Sequence, residues 1–499
     1  MSASAAPAVR TGVLSPTTAY LSVQELGQKL RRREISSEAL TEFYLERLRR
    51  FGRELNLVVT ITDQVALEQA RAADADFRRG LVRGPLQGIP WGAKDLLDTK
   101  GIRTTWGCPA FAHRIPQDNA TVVARLEAAG AVLAAKLAMI ELAGAGNYQS
   151  ASASLTGPAR NPWNPKRWTG GSSSGPGGAV AGGLVAFAIG SETWGSIINP
   201  TTYCGIAGLR PTYGRVSRAG AMALCWTMDK LGPMARRVDD LPLVLSALVG
   251  SDPRDPTCLD APFSYPGEPG GLRGFRLGYF PPDRLPSYSP VKAPYARALS
   301  VFRSLGAEMI PTALPEFPYA LAAETVLDVE GAAAFENLMA SPAFQEIPDA
   351  GQKIGLYAGA QVKGVDYLRA FRIRGLAQAG MLAYLRGFDA VINTGADDIA
   401  PLADMPFEAQ EKAFQAKHPR PPAPPHPHRP GPNYELSGAG NLLGLPAVGV
   451  SMGFSSQGQM PVGLEIMGAP LAEARILQVA AAYQTATPWH RQHPDLAGL

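Results

Sequence analysis

The chain is 499 residues long, 46% hydrophobic and 18% charged, which is ample material for a large core. Its formal net charge of +4 is small for that length and forms no concentrated patch, which argues against a nucleic-acid binder. No run approaches the ~18 apolar residues of a membrane helix, and four scattered cysteines (Cys108, Cys204, Cys225, Cys258) lack a CxxC pair, so zinc-ligand spacing is absent and free thiols in a reducing, cytoplasmic compartment are expected.

In chain order, residues 1–16 lack an apolar signal region and read as a short disordered leader. From 17 to about 79 the pattern is helical, with Leu26, Leu30, Leu40, Tyr44 and Leu48 on one face and "SSEAL" as a helix start. The basic "KLRRREISSEALTEFYLERLRR" is the wet face of such a helix. Glycine and proline then punctuate "GPLQGIPWGAKD" (84–95), after which the helical "NATVVARLEAAG" precedes the strand-like "GAVLAAKLAM". Further on, "GLRGFRLGYFP" is a strand, "APYARALSVFRSLGAEMI" a helix and strand, 320–385 mostly helical, and "GFDAVINTGA" a buried strand. The Pro-rich 417–433, within "KHPRPPAPPHPHRPGPNYE", predicts an irregular, partly polyproline-like insertion before the strand in "LLGLPAVGVSMGF". Helix and short buried strand recur without an internal repeat or clear linker. The pattern predicts one α/β domain over 17–499.

The segment "WTGGSSSGPGGAVAGG" (168–183) is unusual. A flexible linker would sit among polar residues, yet this one enters the apolar "AVAGGLVAFAIG". A phosphate-binding P-loop would need a lysine that is missing. What remains is a buried glycine-rich loop carrying hydroxyls, close enough in backbone to serve a ligand. Hydroxyl chemistry needs a base. Of the six histidines, His418, His426 and His428 fall in the Pro-rich insertion, His490 and His493 near the C-terminus, and only His113 in the glycine-rich half, in no triad-like motif. A GxSxG elbow with a strand before it is also missing. A serine–lysine device is the remaining option. Lys94 follows the strand-like "GIPWGA"; burial would lower its pKa and free a neutral amine. The plainer alternative is an ion pair with Asp95 at a strand end.

"GPLQGIPWGAKD", "GGSSSGPGGAVAGGLVAFAIGSETWGSI" and "CGIAGLRPTYGRVSRAGA", in that order, resemble the amidase signature hydrolases. The resemblance covers about 20–260 and resumes at "GNLLGLPAVGVSMGF" and "MPVGLEIMGAPLAEARILQVAAAYQ". It implies a large mixed β-sheet covered on both faces by helices. It also implies a serine hydrolase that needs no metal or cofactor and acts on a small-molecule amide, anilide, carbamate or ester. By the same resemblance Lys94 is the base, Ser172 the bridging serine on a cis peptide bond, and Ser196 the nucleophile. The alternatives Ser173 and Ser174 shorten the gap to Ser196. The backbone N–H groups of Thr193, Trp194, Gly195 and Ser196 form the oxyanion hole. Ala145, Gly146 and Asn147 in "AGAGNYQSASA", with Gly171 and Trp194, match substrate-facing positions; the first three also read as a structural turn.

The nucleophile loop departs from the family's Asp-Thr-Gly-Gly-Ser-Ile-Arg, reading "ETWGSII". Glu192 needs a new cationic partner, for which Arg210 and Arg215 are candidates. Trp194 either shapes the substrate pocket or packs in the core, and Cys204 reads as a small buried residue. A monomer or homodimer is expected. Two rival functions stay open: the glutaminase component of a tRNA-dependent amidotransferase, and a non-catalytic binding protein on a hydrolase scaffold.

Overall fold

A computed structural model describes residues 14–417, 432–455 and 459–498. Among the described residues thirteen strands run in chain order: β1 (Val58–Ile61), β2 (Pro90–Lys94), β3 (Val132–Leu137), β4 (Arg160–Asn161), β5 (Asn164–Trp168), β6 (Phe187–Glu192), β7 (Ala207–Arg210), β8 (Lys230–Ala235), β9 (Arg276–Tyr279), β10 (Glu308–Pro311), β11 (Ala390–Thr394), β12 (Ala447–Phe454) and β13 (Pro461–Met467). Eleven form one sheet in the order β1-β3-β2-β6-β8-β7-β12-β13-β11-β9-β10; β4 and β5 pair separately. The large sheet is mixed. β2 runs parallel to both β3 and β6, β9 to both β10 and β11, and the other neighbours are antiparallel.

Strand side chains alternate between faces, and here both faces are dry. Phe187 and Ile189 of β6 join one apolar cluster with Trp91 and Ala93, while Ala188 joins a second with Ala135 and Leu137. Burial on both sides explains why these strands read as near-continuous apolar runs rather than alternating ones. Helices supply the covers. Ser174–Ala181 packs on β2, β3, β6 and β8, and Ile198–Cys204 and Glu473–Thr485 pack on β12 and β13. The expected mixed sheet between helices is the observed fold.

Three local expectations change. The N-terminal helical stretch holds the helices Val23–Arg31, Ser37–Arg47 and Asp63–Arg78, but β1 interrupts it and forms the sheet edge on β3. Its "VVTI" is β-branched throughout, which favours a strand. Of the leader 1–16, residues 1–13 lie outside the described residues, while Ser15 caps a 3₁₀ turn over Pro16–Tyr20. Of the insertion 417–433, residues 418–431 lie outside the described residues; Lys417 closes the helix Phe407–Lys417, and Pro432–Leu442 is a helix rather than irregular chain. Proline is well tolerated in a helix's first turn, where its missing N–H has no partner to lose.

The helix Ser174–Ala181 enters the sheet's ends very closely. A Cβ on Gly175 would sit 2.6 Å from the carbonyl oxygens of both Ala138 and Leu57, and the Gly175 N–H donates to Ala138 at 2.8 Å. These are backbone atoms and have little room to yield. Gly175→Ala is expected to cost about 1–3 kcal/mol, measured as a lower midpoint of thermal unfolding.

Candidate functional site

Lys94 ends β2, and Ser191 and Glu192 end the neighbouring parallel strand β6. Ser172 and Ser173 stand just before the helix Ser174–Ala181, with a cis Gly171–Ser172 peptide bond. The Gly171 N–H donates to Asn199 Oδ1 at 3.2 Å. The site thus forms where strand ends meet a helix start, the usual crevice of an α/β sheet.

The Lys94 Nζ lies 2.8 Å from Ser172 Oγ, 3.0 Å from Ser173 Oγ and 2.8 Å from Ser191 Oγ. Ser172 Oγ is 3.0 Å from Ser196 Oγ. Lys94, Ser172 and Ser196 are all buried. The Ser173 hydroxyl donates to the Ser191 carbonyl at 3.0 Å and accepts the Ser191 N–H at 3.2 Å. Its proton is therefore committed elsewhere, and it faces Lys94 as an acceptor. Burial pushes the Lys94 pKa well below 10.5, against the weaker pull of the charges on Asp229 and Glu192. The expected alternative partner, Asp95, pairs instead with Lys136 at 3.2 Å and with Thr105. His113 is exposed and shares no hydrogen bond with these groups.

The loop 192–198 hangs from Glu192, whose Oε2 accepts the N–H groups of Ile197 and Ile198 at 2.8 and 3.0 Å. Its Oε1 accepts from Arg210 Nη1 at 2.7 Å and Asn441 Nδ2 at 2.9 Å. Arg210 is therefore the acid's partner; Arg215 lies 3.8 Å from Glu473. Burial would raise the Glu192 carboxyl, but the charges of Arg210 and Lys230 and its hydrogen bonds hold it at about 2. Glu465, 3.1 Å from the same guanidinium, lacks those added donors, and burial raises it to about 7. In the loop itself Gly195 takes the positive φ (80°) while Trp194 does not, so the bulky replacement falls on a position that tolerates a side chain. Among the described residues, no protein acceptor takes the N–H of Thr193, Trp194, Gly195 or Ser196.

Trp194 packs on the helix Pro432–Leu442, with its ring 4.9 Å from that of Tyr434. Ala145 gives its carbonyl to Gln352 at 3.1 Å, and the Gly146 backbone rests on the helix Ala350–Gln361. Gly146 and Asn147 both adopt positive φ. A cavity of about 430 Å³ adjoins the site, walled by Ser191, Thr193, Leu96, Met222, Leu224 and Trp226, and Ala143 is the member of the 143–147 stretch that reaches it. Cys204 is buried and donates to the Thr169 carbonyl at 3.3 Å. Among the described residues, no cluster of three His, Cys, Asp or Glu side chains could hold a metal ion, and no helix is long and apolar enough to cross a membrane.

Sequence reasoning missed Ser173 and Ser191 as partners of Lys94. Nothing in the local sequence marks Ser191, which the end of β6 brings to Lys94. Sequence reasoning also missed Asp229, which accepts from Thr193 Oγ1 at 2.6 Å and from the Leu224 and Cys225 N–H groups at 2.8 and 2.9 Å.

Because its folded pKa is depressed, Glu192 contributes stability in full above 4.5, and that contribution is lost as pH falls toward about 2. Glu192→Gln is expected to lower the unfolding midpoint at neutral pH and to flatten its decline across that acidic window, as thermal melts at a series of pH values would measure.

A family model described as Amidase matches residues 39–477. The chain is 36% identical over 511 residues to the A component of the glutamyl-tRNA(Gln) amidotransferase of Moorella thermoacetica, covering 96% of this chain and 99% of that one. It is 34% identical over 499 residues to the protein of that name from Geobacter metallireducens, covering 95% and 98%. Native peptide amidase from Stenotrophomonas maltophilia superposes with a TM-score of 0.80 at 30% identity, covering 97% and 99% of the two chains. A structure from a vestigial protein complex tied to the origins of an s-triazine catabolic enzyme gives 0.81 at 28% identity, covering 93% and 98%. Sequence and fold agree over almost the whole length, and the chain belongs to the amidase signature family of hydrolases.

Proposed function

We propose that this chain hydrolyses the C–N bond of neutral carboxamides, including anilides and carbamates, through an acyl-enzyme on Ser196. The observation that carries the reading is the unbroken chain of contacts from Lys94 through Ser172 to Ser196. A neutral lysine has two N–H donors and one lone pair. With the donors spent on Ser173 and Ser191, the lone pair faces the Ser172 hydroxyl. Ser196 then gives its proton to Ser172 Oγ as Ser172 gives its own to Lys94 Nζ, and Ser196 Oγ attacks the carbonyl carbon. The oxyanion meets the free N–H groups of Thr193, Trp194, Gly195 and Ser196, each such donor being worth about 3 kcal/mol. The C–N bond breaks as the relay returns the proton to nitrogen. Water, deprotonated by the same relay, releases the acid and restores Ser196.

The cavity supports a neutral substrate. Its cation Arg218 is held by Asp255, Thr257 and the Trp226 carbonyl, and Asp229 is spent on Thr193, Leu224 and Cys225. Arg254 lies 3.8 Å from Asp252 and donates to Thr121. In this reading Gly171 positions the bridging serine, Ala145–Asn147 anchors the loop that brings Ala143 to the cavity, and Trp194 locks the nucleophile loop on its helix. The named relatives favour a second reading, glutamine hydrolysis as one component of an amidotransferase. That reading needs charged groups for the amino-acid head and partner proteins for function.

Ser196→Ala is expected to reduce kcat on the order of 10⁶-fold with an unchanged melting midpoint, and Lys94→Ala by at least about 100-fold. Only the neutral amine is a base, so kcat/KM is expected to rise with pH and level off well below 10.5. A pH–rate profile that falls through this range overturns the lysine base.

A panel of aryl anilides, aliphatic amides, aryl carbamates and glutamine, run with gel filtration of the isolated chain, tests the substrate class. Turnover of the neutral amides by the chain alone is expected. Glutamine turnover only with the other amidotransferase components added overturns it in favour of the second reading.

A further inference from the structure

Lys230 opens β8 and is buried beside the nucleophile loop, yet the relay does not use it. It stands opposite Glu192 across the β6–β8 ladder. Among the described residues its Nζ forms no ion pair within 4.0 Å, and its one hydrogen bond is a long one, 3.5 Å, to the Thr193 carbonyl. Burying a lysine this way is costly unless the contact serves something. The charged groups facing it are Arg210 on β7, Glu192 on β6 and Asp229 beside it, with the Cys225 thiol nearby. Burial and Arg210 pull its pKa down to about 7 against the carboxylates.

The carbonyl that Lys230 holds belongs to the same peptide unit as the Trp194 N–H. That unit is trans, since the cis bond of the described chain is Gly171–Ser172. In a planar trans peptide, C=O and N–H point in opposite directions. A donor fixed on the Thr193 oxygen therefore turns the Trp194 N–H away from Lys230. The Thr193 side chain is held separately, by its 2.6 Å hydrogen bond to Asp229. Neighbouring residues of one chain thus grip Thr193 at its hydroxyl and at its carbonyl.

We propose that Lys230 is a positioning residue for the reaction: by holding the Thr193 carbonyl it aims and polarises the Trp194 N–H at the oxyanion formed on attack by Ser196. The inference rests on the amide-hydrolase reading. Lys230 touches neither substrate nor the reacting atoms. Its contribution is felt when charge develops on the substrate oxygen, so it belongs to the transition state more than to substrate binding.

The test compares the full-length protein with Lys230→Met, which removes the donor, and Lys230→Gln, which keeps a neutral one. Each is assayed on a p-nitroanilide and titrated with an aryl trifluoromethyl ketone, whose serine adduct carries an oxyanion. Lys230→Met is expected to lower kcat about 10- to 100-fold, leave KM within about threefold, and weaken the ketone by the same factor as kcat/KM. Lys230→Gln is expected to recover at least a third of the lost kcat on a logarithmic scale. Wild-type kcat and ketone affinity in Lys230→Met overturn the inference. So does a Lys230→Gln enzyme as impaired as Lys230→Met with an equal loss of melting midpoint, since that marks a purely structural lysine. If Lys230→Met does not fold, Lys230→Gln alone decides: its kcat and ketone affinity fall together, or the inference fails. A fluorophosphonate that does not label Ser196 in the wild type overturns the hydrolase reading itself and is scored separately.

Discussion

Withdrawing the Lys94 amine from water without giving it a carboxylate is the constraint on which the site depends. An ammonium in that position would lose its hydration and gain only hydroxyl dipoles, so the neutral form is favoured. Lys136, one strand away on β3, provides the contrast. It is equally buried, but Asp95 lies 3.2 Å from its nitrogen, and the pair braces the loop that carries Thr104 and Thr105. Two lysines on adjacent strands thus receive opposite treatments: one keeps a counter-charge and serves the structure, and the other is denied one, so that burial lowers its pKa.

That denial reaches beyond the amine. Each acid whose charge reaches Lys94 is occupied elsewhere: Glu192 with Arg210 and the Ile197 and Ile198 amides, Asp229 with Thr193 and the Leu224 and Cys225 amides. The same bonds that keep these carboxylates away from Lys94 hold the 192–198 loop in shape. Because the loop offers backbone donors, its side chains can diverge, as Trp194 and Ile198 do, so long as Gly195 keeps its positive φ and Glu192 its cation.

Much of this was readable from residues alone. The buried strands announced themselves as apolar runs, and the glycine–serine block and the Lys-Asp strand end hold the lysine and serine that lie in contact. What stayed hidden depended on long-range packing. Val58–Ile61 sits in a helix-rich stretch and becomes a strand because β3 offers an open edge. Pro432–Leu442 follows a proline run that masks its helical character, and it becomes legible only through its contacts with Trp194 and the helix Tyr319–Ala334. Ser191 and Asp229 carry no local mark; β6, β8 and a turn bring them to a lysine and a threonine far away in the chain. Arg210 was a candidate beside Arg215, and only the neighbouring strands decide between them.

The pairing of β2 with β6 sets where Lys94 stands. Trp91, Gly92 and Ala93 stand opposite Phe187, Ala188 and Ile189, which brings Lys94 level with the end of β6. Side chains alternate along a strand, so a slip of one residue would exchange Lys94 for Ala93 and swing the amine into the apolar layer around Trp91. The bulky indole and phenyl rings of Trp91 and Phe187, stacked 6.1 Å apart, act as an alignment key. Part of what places the Lys94 amine is thus written in two rings, one three residues upstream on its own strand and the other across the ladder on β6.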